Sequence, residues 1–137
     1  MTFRSSIRKN EIIINRLHKT MHSANEQKNK SIAHLEAWKA TCREFHENYS
    51  RLIYLFQFSD YRVELRGGNT EAIEYAISFI EVRPYFFRSG YLYKDLIRVL
   101  RSCPLNKSHR ERYQIISERY KEYQQQKNKS HCLSPKI

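Results

Sequence analysis

Leu35, Cys42, Tyr49 and Phe56 recur every seven residues, and Trp38, Phe45 and Leu52 repeat at the same interval with an offset of three. This is an a/d seam, and it commits the segment to a helix that lays one stripe against another helix. Glu36, Lys39, Arg43, Glu44, Glu47 and Arg51 fall outside the seam, as a solvated face requires. Three heptads built from aromatics of unequal size suit an antiparallel hairpin with a preceding helix in the same chain. A homodimer through the helix at 35–56 is the alternative to a monomer. Glycine and proline number only three each in 137 residues. That scarcity of breakers disfavours a multi-turn sheet protein and predicts an all-α fold.

The rest of the chain divides into helices by the same logic. Phe3, Ile7, Ile14, Leu17 and Met21 form one apolar stripe, interrupted by Asn10, over about residues 5–21. Residues 22–30 are polar and read as a connector, Ser31 is a suitable N-cap, and the second helix is expected to reach about Phe58. Gly67-Gly68-Asn69 predicts a turn, with Asn69 or Thr70 capping a third helix that buries Ile73, Ala76, Ile77 and Ile80. Pro84 ends that helix at or before Arg83, because the residue preceding proline avoids the α region. Ser89 is expected to cap a fourth helix, with Leu92, Leu96, Val99 and Leu100 inward and Pro104 closing it. Ser108-His109-Arg110-Glu111 has the form of a capping box and opens a fifth helix, striped by Tyr113, Ile116, Tyr120 and Tyr123. The expectation is one helical domain over 1–125, with about five helices: a long N-terminal hairpin (1–58) packed on three shorter helices (69–125). Residues 126–137 read as a disordered basic tail.

The net charge of +11 is unevenly distributed. Residues 1–30 carry seven Lys/Arg against two acids and residues 102–137 eight against three, while 31–66 balance at five each. Basic ends can meet nucleic acid, an acidic protein or a membrane surface, or can keep a chain dispersed. No apolar run approaches the roughly 20 residues that span a bilayer. Ile12-Ile13-Ile14 is far shorter than a signal-peptide core of about 7–15 residues, so a cytoplasmic location is expected. Cys42, Cys103 and Cys132 are odd in number and widely spaced, which argues against a disulfide framework. Cys42 occupies a seam position and reads as a small core residue.

Between the third and fourth helices, Arg83-Pro84-Tyr85-Phe86-Phe87-Arg88-Ser89-Gly90-Tyr91 concentrates four aromatic and two guanidinium side chains. Tyr91, Lys94, Arg98 and Arg101 follow at spacings of three, four and three, on the face opposite Leu92 and Leu96. Guanidinium forks suit carboxylate or phosphate, and tyrosine and arginine are favoured in binding hot spots. The candidate partner-binding set is Arg83, Tyr85, Arg88, Tyr91, Lys94, Arg98 and Arg101, directed at an acidic protein surface. The plainer reading is that Phe86 and Phe87 anchor the corner while the basic face is merely solvated, with Asp95 and Glu81 able to neutralise nearby arginines.

The alternative function is nucleic-acid binding through phosphate contacts from Arg4, Arg8, Lys9, Arg16, Lys19, Arg112, Arg119, Lys121 and Lys127. His18 and His22 lie four apart on one helix, and closing the hairpin about residues 26–27 brings His34 towards them as a three-imidazole candidate for zinc. Interface or surface histidines are far commoner, so neither a metal nor a cofactor is expected. Gly67-Gly68-Asn69-Thr70 has no Walker lysine and reads as a capped turn. The chain contains no G-x-S-x-G and no H-E-x-x-H, and a non-enzymatic protein is expected.

At Phe86-Phe87-Arg88-Ser89-Gly90-Tyr91, followed by Lys94 and Leu96-Ile97-Arg98, the chain resembles a group of small bacterial helical proteins. Those proteins share a proline, aromatic-pair, R-S-G-Y corner between helices and are similar in outline to HEAT/ARM-type helical pairs. The resemblance covers residues 72–118. It implies a partner-binding protein, with immunity proteins that neutralise secreted toxins among the kinds of function such folds carry.

Overall fold

Thr2 Oγ1 accepts a hydrogen bond from the Ser5 N–H at 3.3 Å and opens the first helix, α1 (Phe3–Gln27). The structure is a computed structural model that describes residues 2–133, with side chains described for 2–128. Ser31 caps α2 (Ile32–Leu52) as expected, its Oγ accepting from the His34 N–H at 3.1 Å. The two helices form the predicted antiparallel hairpin and pack along the seam. Phe45 is its one fully buried α2 residue, flanked by half-buried Trp38, Cys42, Tyr49 and Leu52.

Three boundaries in this half differ from expectation. The connector at 22–30 is helical as far as Gln27, because residues 22–27 contain neither glycine nor proline to stop α1. The reversal falls after Gln27, where the Lys28 ammonium sits 4.5 Å from the centre of the Trp38 ring. At its other end α2 stops at Leu52, short of Phe58. Ile53 turns extended and a 3₁₀ turn follows over Tyr54–Gln57. Ile53 and Leu55 are both buried, and residues two apart on a continuing helix would point to opposite sides. Breaking the helix buries both. A short helix absent from the sequence reading, α3 (Tyr61–Arg66), comes next, capped by Asp60.

Asn69 Oδ1 accepts from the Ala72 N–H at 3.1 Å and starts α4 (Thr70–Val82). Ala72, Ile73 and every residue from Tyr75 to Ile80 are buried, so this helix is the hub of the fold. Helices α1 and α3 pack on it together with α5 (Ser89–Leu100) and α6 (Lys107–Leu133). Phe79 lies at its centre, edge-on to Phe86 with ring centres 6.1 Å apart.

Two expected caps are replaced. Ser89 is already inside α5 and Arg88 occupies the cap position, while Ser89 Oγ accepts from the Phe86 N–H at 3.0 Å and ties the corner. The box at Ser108–Glu111 is not used. Asn106 Oδ1 accepts from the His109 N–H at 2.8 Å and starts α6 two residues earlier, since asparagine caps at least as well as serine. Helix α6 runs on to Leu133, through most of the segment read as a tail, and residues 134–137 lie outside the described residues. Among the described residues there is no strand, and no helix is long and apolar enough to cross a membrane.

A candidate binding face around the aromatic corner

Helix α1 grips the corner through backbone hydrogen bonds. Arg8 donates to the Val82 carbonyl at 2.8 Å, Asn15 donates to the Tyr85 carbonyl at 2.9 Å, and Glu11 accepts from the Tyr85 N–H. From α2, the Tyr49 hydroxyl donates to the Phe87 carbonyl at 2.9 Å. Phe86 is buried against Phe79, while Phe87 is half-open and stacks on His18 at 5.2 Å. The segment is therefore irregular in conformation yet closely held.

Arg83 and Arg88 bracket this segment, and both have left-handed backbone geometry, at φ 51° and 64°. Such a conformation is disfavoured for any residue with a Cβ, by about 1 kcal/mol each. Neither guanidinium has a carboxylate partner among the described residues. Arg83 lies 4.9 Å from the centre of the Tyr93 ring and 5.3 Å from that of Tyr123, and Arg88 lies 5.1 Å from that of Phe87. Tyr85 and Tyr91 project outward at 85% and 78% exposure. Lys94, Arg98 and Arg101 are exposed on α5 while Leu92, Leu96 and Val99 are buried.

Two adjoining cavities collect all seven candidate partner-binding residues. The larger, of about 830 Å³, is lined by Arg88, Tyr91, Lys94, Arg98 and Arg101, together with Tyr61 and Arg62 and the α6 residues Tyr120 and Lys121. The smaller, of about 580 Å³, is lined by Arg83, Tyr85, Arg88, Lys94, His18, Tyr93, Tyr120 and Tyr123, among others. Arg88, Lys94 and Tyr120 belong to both walls. Tyr120 belongs to the apolar stripe and Lys121 to the phosphate footprint in the sequence, and only the packing of α5 and α6 on α4, with Tyr120 set against Tyr93, brings them here.

The larger cavity has one carboxylate in its wall, and that carboxylate is already engaged. Asp95 is buried and accepts from the Tyr61 hydroxyl, from Arg62 at 2.9 Å and from Arg98 at 2.7 Å. Burial pushes its pKa up, but these three hydrogen bonds outweigh burial and hold it below the usual carboxylate range. Arg98 is thus tied as an ion pair at its base, although its side chain stays 75% exposed. Arg88, Lys94, Arg101 and Lys121 have no carboxylate partner among the described residues.

The residues of the phosphate footprint divide into two groups. Arg4 pairs with Glu81 at 2.6 Å, Arg8 with Glu11 at 2.9 Å, and Arg112 with both Glu74 at 2.8 Å and Glu81 at 2.6 Å. Arg4 and Arg112 meet on the same Glu81 oxygen, so the start of α1 and the first turns of α6 come together there. His109 is buried 3.4 Å from Glu74, and Ser78 donates to the other Glu74 oxygen at 2.8 Å. Hydrogen bonds from Arg112, assisted by Ser78 and His109, hold Glu74 down to about 2 against partial burial. These arginines clamp α1 and α6 to α4. Lys9, Arg16, Lys19, Arg119, Lys121 and Lys127 remain exposed.

The three-imidazole candidate does not assemble. His18 and His22 are adjacent, with ring centres 5.1 Å apart, but His34 Nδ1 lies 2.7 Å from Ser31 Oγ, at the start of α2. Among the described residues, no three His, Cys, Asp or Glu side chains are placed to hold a metal ion. His18 instead packs on Phe45 and Phe87, and burial followed by the neighbouring His22 lowers its pKa. The chain matches no protein-family model, no curated protein and no solved structure.

Proposed function

We propose that this protein is a non-enzymatic binding module that docks an acidic partner protein on the outward face of α5. The observation that carries the reading is the imbalance in the larger cavity. Arg88, Lys94, Arg101 and Lys121 line it, and its one carboxylate, Asp95, is already shared by Arg62 and Arg98. A surface held in that state favours a partner that supplies carboxylates, and exposed Tyr91 beside it offers aromatic contact area. Toxin neutralisation is the finer form of the proposal and rests on the corner resemblance. With this face it requires a toxin whose docking surface is acidic.

The nucleic-acid reading draws less support. Three of its nine residues, Arg4, Arg8 and Arg112, are committed to carboxylates of the same chain.

Affinity purification from the source cells, with and without nuclease, tests the proposal against the double variant Tyr91→Ala, Arg101→Ala. The expected result is an acidic protein that survives nuclease treatment and disappears with the variant. Both side chains are exposed, so the variant's stability should stay within about 0.5 kcal/mol of the parent. A partner retained equally by the variant, or lost on nuclease treatment alone, would overturn the reading.

A further inference from the structure

The smaller cavity shows three local choices that make the fold less stable than it needs to be. Arg83 and Arg88 take up left-handed backbone where glycine would incur no steric cost. Gly90 sits in the first turn of α5, where alanine would favour the helix, and a Cβ there would meet no protein atom within 4 Å. Packing therefore does not demand this glycine. All three residues line the same cavity. Choices that run against local stability gather where function requires them.

Among the described residues, the wall of this cavity holds no carboxylate. Arg83, Arg88 and Lys94 bring three positive charges, and the guanidiniums are steadied by aromatic rings rather than by hydrogen-bond acceptors. Among the described residues their N–H donors have no carboxylate to bind, which leaves them available to an anion. Three uncompensated cations suit a dianion better than a single carboxylate. A phosphate monoester carries about −1.5 to −2 charge near neutrality and three acceptor oxygens. Tyr85, open at 85%, presents a ring on which a planar group can stack, whereas Phe87 is already covered by His18 and the Arg88 guanidinium. The volume of about 580 Å³ lies within the range of small-molecule sites.

We infer that this corner cavity binds a free aromatic phosphomonoester of nucleoside monophosphate size. Arg83, Arg88 and Lys94 hold the phosphate, the exposed ring of Tyr85 receives the base, and the missing side chain of Gly90 leaves room for the ligand against α5. This site shares Arg88 and Lys94 with the acidic-partner face but goes beyond that reading and does not require it, since Arg83, Tyr85 and Gly90 line this cavity alone and Arg98 and Arg101 lie outside its wall.

Titration calorimetry of the full chain with adenosine 5′-monophosphate, adenosine and inorganic phosphate tests the inference. The monophosphate should bind with a Kd on the order of 10 µM, the ordinary efficiency for a ligand of its size. Adenosine and phosphate alone should each bind at least about tenfold weaker, one decade being a single lost contact of ordinary strength. Arg88→Gly and Gly90→Ala should each weaken the monophosphate by about tenfold or more while Tm stays level or rises, because each relieves a local penalty. Arg101→Ala should leave this binding unchanged. Absence of monophosphate binding, binding no tighter than that of adenosine or phosphate, or equal affinity in Arg88→Gly would overturn it. So would an oligoadenylate that binds more tightly than the monophosphate and weakens on Arg119→Gln, which would assign the cations to nucleic acid.

Discussion

The arginines of this protein serve in two opposite ways, and the contrast lies between α4 with its clamps and α5 with its open face. Around α4, Glu74 and Glu81 gather Arg4, Arg112 and His109 into a network in which every charge has a partner. Around α5, Asp95 is the sole acidic member of the larger cavity wall, and the remaining cations look outward. Net charge is the same kind of quantity in both places. What separates structural from available arginine is the placement of carboxylates within reach, because an unpaired cation retains its affinity for an external anion.

The largest effect that tests this contrast should come from Arg112→Ala. Removing the arginine shared by these two half-buried carboxylates leaves Glu74 and Glu81 short of donors, at a cost of about 2 kcal/mol, measurable by urea unfolding. A loss below about 1 kcal/mol would mean that the α4 network is no more structural than a surface pair. Acid should come next. Glu74 has a folded pKa of about 2, below its ordinary 4.5, so its contribution is present above pH 4.5 and is lost as pH falls towards 2. Thermal unfolding followed over that window should show a shallower decline for Glu74→Gln than for the parent, and parallel curves would count against the clamp. The smallest effect should come from Tyr61→Phe. It removes one of three donors to Asp95 and leaves Arg62 and Arg98 in place, so the expected cost is about 1 kcal/mol. A cost matching that of Arg112→Ala would show the α5 side to be just as dependent on internal pairing.

The seam was legible because it repeats over three heptads and must be covered by another helix, and α1 of the same chain covers it. The turn at Gly67-Gly68-Asn69 and the stop before Pro84 were legible because each follows from backbone geometry that few residues permit. The break after Leu52 was not, because it depends on Ile53 and Leu55 both finding the same core. The replaced caps show the same limit at short range: Asn106 and Ser108 are N-caps of similar strength, and only the folded chain shows that the first is used.

The candidate site divides along the same line. Tyr91, Lys94, Arg98 and Arg101 could be placed on one helical face by counting, and they are exposed together. Glu11, Asn15 and Tyr49, which hold the corner, carried no signal, since their partners are main-chain atoms 38 to 74 positions away. Nor did the pairing of Arg112 with Glu74, 38 positions apart.

Periodicity, caps and breakers act through neighbours within one or two turns, so the amino-acid order settled the helical class, the apolar seam and the cationic stripe along α5. Which arginines became internal clamps and which stayed available was decided only when α1 and α6 closed over α4, because ion pairing falls off within a few ångströms and those distances exist only in the folded chain.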